Sequence, residues 1–225
     1  MWRLCNAKER ARNAEERVVI EGQTVDADRK MLYLVRLNAP IPESIAHLTA
    51  LTWLEISQCP LLVQLPESLC QLNVRVLRIG ECIALRQLPV ALGQMAALTL
   101  LAIWECHAIR ALPDSLGQLL ALSHLHISEC DNVRHLPAFG NLQVLARLCI
   151  QHCHGLTRLP DTLCHLTLLE SIELDHTNFL TQLPAAFGSL QSLRELYLAS
   201  DALTGLPGSI GSLQTRGNYQ RLSVA

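Results

Sequence analysis

Apolar residues return along this 225-residue chain at a fixed interval of 23 or 24 positions. The unit that starts at Leu98 serves as the example, and its recurring residues are Leu98, Leu101, Ile103, Cys106, Ile109, Leu112, Pro113, Leu116 and Leu119. Similar units start at Leu51, Val74, Leu122, Leu145, Leu169 and Leu193, and a shortened one starts near Leu32. One small packing unit is therefore used about eight times.

Each unit divides into a strand and a return. The opening stretch alternates apolar and polar residues, which predicts a short strand with one buried face. A Leu-Pro pair follows later in the unit, and proline is disfavoured inside strands, so we place these pairs on the return. No unit can bury its apolar face alone, so neighbouring units must stack with their strands parallel.

This arrangement resembles the leucine-rich repeat family, from about Leu32 to Leu213. Two features narrow the resemblance within this family. Several units carry a cysteine at the position of Cys106, and the second half of the unit that starts at Leu98 reads Leu-Pro-x-x-Leu-Gly-x-Leu. Both features are similar to the repeats of two groups of proteins. These are plant intracellular immune receptors and the leucine-rich-repeat type III effectors that plant pathogens secrete. The resemblance implies an α/β leucine-rich-repeat solenoid, an open arc with about eight parallel strands on its concave side. Irregular or 3₁₀ returns would form the convex side.

The repeats occupy residues 31–213, and flanks of different composition lie on either side. Residues 1–30 are predicted to form an N-terminal helical cap, with a helix over residues 6–17 and an edge strand at Val18–Ile20. Residues 214–225 are predicted to be a C-terminal tail or partial cap. Both flanks would shield the ends of a sheet whose edges could otherwise template aggregation.

Composition narrows the class of partner. Leucine supplies 46 residues, only 4% of residues are aromatic, and the net charge is −2. Such an aliphatic chain is not disordered, and no apolar run is long enough to cross a bilayer. The charge balance gives no attraction to nucleic acid. We therefore expect a protein partner, no nucleic acid and no membrane insertion, with the oligomeric state left open. We also expect aromatic rings to be too large for the repeated core.

Five cysteines share one offset in successive units: Cys59, Cys82, Cys106, Cys130 and Cys153. We interpret them as a structural row at the bend between strand and return, because a free thiol is a small apolar group with a weak donor. The odd total of nine cysteines and the ample core favour free thiols in a reducing, intracellular (cytoplasmic) compartment. Secretion into a host cell without a classical signal peptide is the variant that the effector resemblance implies.

Alternate side chains of each strand point away from the core, onto the concave face where such repeats usually bind. The candidate partner-binding residues are Trp53, Glu55, Arg78, Glu81, Trp104, Glu105, His124, His126, Glu129, Arg147, His152, Asp175, His176 and Tyr197. The two tryptophans are either interface anchors or a cover for neighbouring sheet. The three glutamates at one offset either attract a basic partner or are simply solvated.

Four histidines of this face lie close together in the repeat alignment: His124, His126, His152 and His176. Glu129, Cys149 and Asp175 are near them, and all three residue types can bind metal. The spacing lacks a local metal signature, so we interpret the histidines as ordinary contact residues and predict no metal and no cofactor. Metal binding and pH-sensitive binding remain the two alternatives.

Enzyme motifs are missing from the sequence. It contains no Gly-x-x-x-x-Gly-Lys-Ser/Thr loop, no Gly-x-Ser-x-Gly and no His-Glu-x-x-His. We therefore predict a non-catalytic protein–protein interaction module, effector-like or receptor-like, that binds a protein on its concave sheet. The alternative is the substrate-recruiting domain of a ubiquitin ligase effector whose catalytic domain lies outside this chain. A purely structural scaffold is a third possibility.

Overall fold

Parallel strands from successive repeats build one open sheet. The computed structural model describes residues 18–214 and 221–224. The strands of this sheet are β3 (Met31–Val35), β4 (Trp53–Ser57), β5 (Val76–Gly80), β6 (Leu100–Trp104), β7 (His124–Ser128), β8 (Arg147–Gln151), β9 (Ser171–Asp175), β10 (Glu195–Ala199) and β11 (Arg221–Val224). They lie side by side in chain order, from β3 at one edge to β11 at the other. The predicted open solenoid with eight repeat strands, β3 to β10, is confirmed.

Strand pairing keeps every repeat offset in line. Leu54 pairs with Leu77, and Leu77 pairs in turn with Leu101, so equivalent leucines form a continuous buried row. The same register runs through all the repeat strands, and Leu32 begins the row on β3. Strands lie about 4.8 Å apart in such a sheet. Residues at one offset are therefore stacked at that spacing across the whole sheet.

The returns are mostly short 3₁₀ helices. They span Glu43–His47, Glu67–Gln71, Leu92–Gln94, Asp114–Gln118, Asp161–His165, Phe187–Ser189 and Gly208–Ile210, the last continuing into a single α-turn, Gly211–Gln214. A Leu-Pro or Ile-Pro pair precedes each of them, and the Pro66 carbonyl accepts a hydrogen bond from the Leu69 amide at 3.1 Å. The fixed φ of proline suits the start of such a turn. No helix in the described part of the chain could span a membrane.

Side chains tie each return to its neighbour. The Glu67 carboxylate accepts hydrogen bonds from the amides of Val90 and Ala91, at 2.9 and 3.1 Å. The Ser115 hydroxyl donates to the Val90 carbonyl at 2.7 Å and accepts from the Gly93 amide. These bonds satisfy backbone groups that the returns, lacking a continuous ladder, would otherwise leave to water.

The N-terminal flank forms a hairpin instead of the predicted edge strand. β1 (Val18–Ile20) pairs antiparallel with β2 (Gln23–Val25) rather than joining the large sheet. Glu21 and Gly22 connect them with positive φ values of 47° and 77°, as a tight hairpin turn requires. Val18, Ile20 and Val25 are buried against the core. The helix predicted for residues 6–17 lies outside the described residues, and at the other end β11 pairs parallel with β10.

The expectation that rings would be excluded from the core is wrong. Phe139 and Phe187 are fully buried at return positions where other repeats carry leucine. The core must be filled at each return, but not by one residue type.

Phe139→Ala tests this packing against a matched exposed ring, Phe179→Ala. Phe139 is 0% exposed and Phe179 is 61% exposed. We expect the first substitution to lower the free energy of unfolding by about 3–5 kcal/mol and the second by less than about 0.5 kcal/mol, because only the first leaves a cavity. Urea unfolding followed by circular dichroism measures both, and equal losses would contradict the buried position of Phe139.

Candidate binding surface

The fourteen candidate residues lie together on the side of the sheet opposite the leucine rows. Nine stand on strands β4 to β10, and five directly follow a strand. Along β7 the buried residues are Leu125, Ile127 and Ser128, whereas His124 and His126 are partly exposed. We call this outward side, from β3 to β10, the concave face.

The residue that follows each strand from β3 to β9 has a left-handed backbone. These residues, which we call the left-handed row, are Arg36, Gln58, Glu81, Glu105, Glu129, His152 and His176, with φ between 49° and 59°. The Glu81 amide donates to the Trp104 carbonyl at 3.0 Å, and the Glu105 amide donates to the Ser128 carbonyl at 3.1 Å. The amides of the row members from Arg36 to His152 all donate to the last carbonyl of the next strand. Together with the shared φ, this makes the row's side chains leave the backbone in the same way. The repeat pattern did not reveal this conformation.

Trp104 lies flat over the neighbouring strand. A Cβ atom added to Gly80 would stand 1.8 Å from Trp104 Cε2, so only glycine leaves room for the indole. The Arg78 guanidinium is 5.1 Å from the indole centroid, and Arg78 Nη1 is 3.6 Å from Glu55 Oε2. Trp104 therefore covers the neighbouring strand, as one interpretation of the sequence proposed, and its partly exposed indole makes a cation–π contact with Arg78.

Apolar side chains form a second row on the first four repeat strands. Met31 pairs with Trp53, Trp53 with Val76 and Val76 with Leu100. Met31 is 44% exposed, and the other three are partly exposed. The Trp53 indole Nε1 is buried and has no hydrogen-bond partner within the described part of the chain. Of these four residues, only Trp53 was among the sequence candidates. The register of the strands, which places all four side chains in one line, identifies the other three residues.

Glu173 organises the other half of the face. Its carboxylate accepts hydrogen bonds from Gln151 Nε2 at 2.7 Å and from the Cys149 thiol at 3.5 Å. Burial, followed by the nearby charge of Glu173, raises the pKa of Cys149 to about 12. Cys149 is therefore a neutral donor, and Glu173 joins the candidate surface although sequence reasoning did not select it.

The histidines separate into two pairs. His124 Nδ1 is 2.8 Å from the Ser123 hydroxyl, and His126 Nε2 is 3.1 Å from that of Ser128. Burial lowers the pKa of His126, which favours its neutral form. His152 and His176 lie further along, with their rings stacked at 4.5 Å between centroids. The sheet thus does not bring all four histidines into one cluster.

The cysteines of the structural row are all buried, and four of their thiols donate to carbonyls that end their own strands: Cys59, Cys82, Cys130 and Cys153. Cys59 also accepts a hydrogen bond from the Leu37 amide at 3.3 Å. Burial raises the pKa of Cys130 to about 12 and that of Cys153 to about 11. All eight cysteines in the described residues are free thiols.

Comparisons with known proteins agree with this architecture. The leucine-rich repeat family model matches residues 50–72, which contain the unit that starts at Leu51. No curated protein sequence matches the chain. Among solved structures, 123 chains match. The leucine-rich repeat domain of the type III effector XopL shares 21% identity over 79% of each chain, with a TM-score of 0.50.

Two further neighbours are more distant. A plant peptide hormone receptor, RGFR1 in complex with RGF2, is 19% identical and covers 88% of this chain and 42% of its own, with a TM-score of 0.43. A leucine-rich repeat protein of Leptospira interrogans is 18% identical over 83% of this chain and 75% of its own, with a TM-score of 0.26. The family-model match and the likeness to the XopL domain show that the chain has the leucine-rich repeat fold and carries a repeat of that family, as the sequence predicted.

Gly80→Ala tests the position of Trp104. The added methyl group must displace the indole, so we expect a loss of about 1–3 kcal/mol in the free energy of unfolding. In a Trp104→Ala background the same change should be nearly neutral, because the space is then empty. A double-mutant cycle from urea unfolding gives the coupling energy. Equal losses in both backgrounds would mean that the indole does not cover Gly80.

Alkaline pH tests the buried thiols. A thiol with a raised pKa stays protonated when folded but ionises above about pH 9 when unfolded, so its stabilising contribution is lost as pH rises from 9 towards the folded pKa. We expect Cys130→Ser to flatten the decline in unfolding free energy between pH 9 and 10.5 by up to about 1.4 kcal/mol per pH unit. Urea unfolding under reducing conditions measures the slopes, and identical slopes for both proteins would contradict a raised pKa.

Proposed function

We propose that this chain is a non-catalytic interaction module that holds a protein partner on its concave face. The observation that carries the proposal is strand register. It brings an apolar row, an acidic row and a cation–π cluster side by side on one broad surface. Two clefts among the described residues, one beside the N-terminal hairpin and one between neighbouring returns, have volumes of about 90 and 140 Å³, whereas small-molecule sites usually measure about 300–1,000 Å³. A flat face of this kind suits a macromolecular ligand.

The apolar row gives the partner its anchor. Its four side chains, Met31, Trp53, Val76 and Leu100, cross β3 to β6, a distance of about 15 Å at the usual strand spacing. Burying them would release water from apolar surface, which is the main favourable term in protein association. An exposed segment of a partner with several apolar side chains would match this length.

A row of three glutamates, the acidic row, favours a positively charged segment in the partner. Glu81, Glu105 and Glu129 are successive members of the left-handed row, and all three are at least partly exposed. Like charges at about 5 Å repel one another, and a cationic partner removes that cost. We therefore infer a segment that combines apolar residues with lysine or arginine, and that reaches Trp104 between the two rows.

An effector-like role inside a cell fits the same surface. The free thiols of the cysteine row suit a reducing compartment. The likeness to an effector's repeat domain motivates this part of the proposal. Substrate recruitment for a ubiquitin ligase is also partner binding, so it would use the same face.

A paired substitution tests the site. Peptides selected from a random displayed library on the wild-type chain supply defined ligands. We expect Trp104→Ala with Glu105→Arg to weaken them at least about tenfold, because an anchor and an ion-pair partner are both lost. Isothermal titration measures affinity, and circular dichroism verifies folding.

Leu168→Ala with Glu170→Arg is the control, since it also truncates an exposed apolar side chain and reverses a charge, at residues outside the concave face. It should leave affinity unchanged. Peptides that bind both variants as tightly as wild type would move the site off this face.

A further inference from the structure

The left-handed row changes its chemistry after Glu129. Its next two members are His152 and His176, each with φ of 49°. Their rings stack with centroids 4.5 Å apart and planes inclined by 19°. Because the row fixes how each side chain leaves the backbone, the two imidazoles are held together by the sheet itself.

A carboxylate completes the group. Asp175 ends β9, and its Oδ1 lies 2.7 Å from His176 Nδ1. One ligand atom from each of His152, Asp175 and His176 lies within 4.8 Å of the other two. The Asp175 side chain is 17% exposed and that of His176 is 57% exposed. The group is therefore partly sheltered below and open to solvent above.

We propose that His152, Asp175 and His176 bind a divalent transition-metal ion of the Zn²⁺ class. Two imidazoles and one carboxylate form the donor set of open zinc sites, in which a fourth position is left for water or another ligand. Such donors also suit Cu²⁺ and Ni²⁺, whereas Mg²⁺ and Ca²⁺ prefer oxygen ligands alone. No zinc-type group of sequence-adjacent ligands signals this site, because its members come from two repeats.

The required adjustment is small. Zinc–nitrogen bonds of about 2.0–2.1 Å place tetrahedral ligands about 3.3 Å apart. The ligand atoms that lie furthest apart must therefore approach by up to about 1.5 Å, to which a rotation of the exposed His176 ring can contribute. His154 packs edge-on against His152, with ring centroids 6.4 Å apart, and so limits the positions of that ring.

The site also has the nearby groups that metal centres use. Glu129 is the preceding member of the left-handed row and offers a further carboxylate beside His152. The outward thiol of β8, Cys149, is not among the grouped ligand atoms and donates instead to Glu173. The metal would face the same side as the proposed partner, and its open position could accept a partner's side chain.

Zinc titration of the full chain, with no partner present, tests the site. By isothermal titration we expect one Zn²⁺ per chain. His152→Asn and His176→Asn should each weaken binding at least about tenfold, as even the loss of an outer hydrogen-bonding partner costs 10–100-fold. Asparagine tolerates the left-handed backbone, so these variants should stay folded. His47→Asn and His165→Asn, at exposed histidines on the returns, should bind zinc like wild type.

A second measurement locates the ion. Imidazole ¹⁵N resonances of His152 and His176 should shift together on zinc addition, while that of His47 stays in place. The proposal is overturned if wild type binds no zinc below about 1 mM, or if the returns' variants lose as much affinity as the site variants. Peptide binding that fails with Trp104→Ala and Glu105→Arg leaves these results unaffected, so the two proposals stand or fall separately.

Discussion

Parallel hydrogen bonding between strands of equal register is the constraint on which this structure depends. Each repeat exposes one apolar edge that it cannot bury, and the next repeat covers it only if their offsets coincide. The pairing of Leu54 with Leu77 and of Leu77 with Leu101 is one example of that coincidence. Once it holds in the core, it holds equally on the concave face, so chemistry there is organised by row as well as by strand.

The strand ends carry the cost of this geometry. A left-handed backbone at a residue other than glycine costs roughly 1–2 kcal/mol, and seven residues of the row adopt it. Two contacts offset that cost at the bends of Gln58, Glu81, Glu129 and His152. The amide of the row residue donates to the next strand, as Glu81 does to Trp104, and the cysteine that follows satisfies a carbonyl turning into the return. These hydrogen bonds hold the backbone of the bend in one conformation and so set the direction in which its side chains leave the sheet.

The repeat offset alone predicted the fold well. The unit that starts at Leu98 places a strand after it, and β6 spans Leu100–Trp104. Register also follows from the offset, so the candidate residues could be assigned to one face. The positive φ of the left-handed row could not be predicted in this way, because glutamate, the residue type of Glu105 and Glu129, does not require a positive φ.

The positions of individual side chains also could not be predicted from the repeat pattern. Trp104 can lie across the sheet only because Gly80, one repeat earlier, has no side chain. The alternation of apolar and polar residues along one strand carries no information about residues on the neighbouring strand. The repeat pattern likewise did not predict that Phe139 is buried. The hairpin at Glu21 and Gly22 gave little signal, because only one of its two turn residues is a glycine.

The concave face has two regions because the residue types within each row change from one repeat to the next. Over β3 to β6 one outward row is apolar, and the left-handed row is acidic from Glu81 to Glu129. This combination favours long cationic side chains, whose stems cover apolar surface while their charged ends reach the glutamates. From β8 onward the row carries imidazoles beside a sheltered carboxylate, a donor set that suits a metal ion better than a lysine. One register thus supports two different chemistries, separated by about 10 Å or more of sheet, since each strand adds about 4.8 Å. A partner that spans both would gain affinity from two independent contacts joined by one rigid surface, with no need for the repeats to change shape.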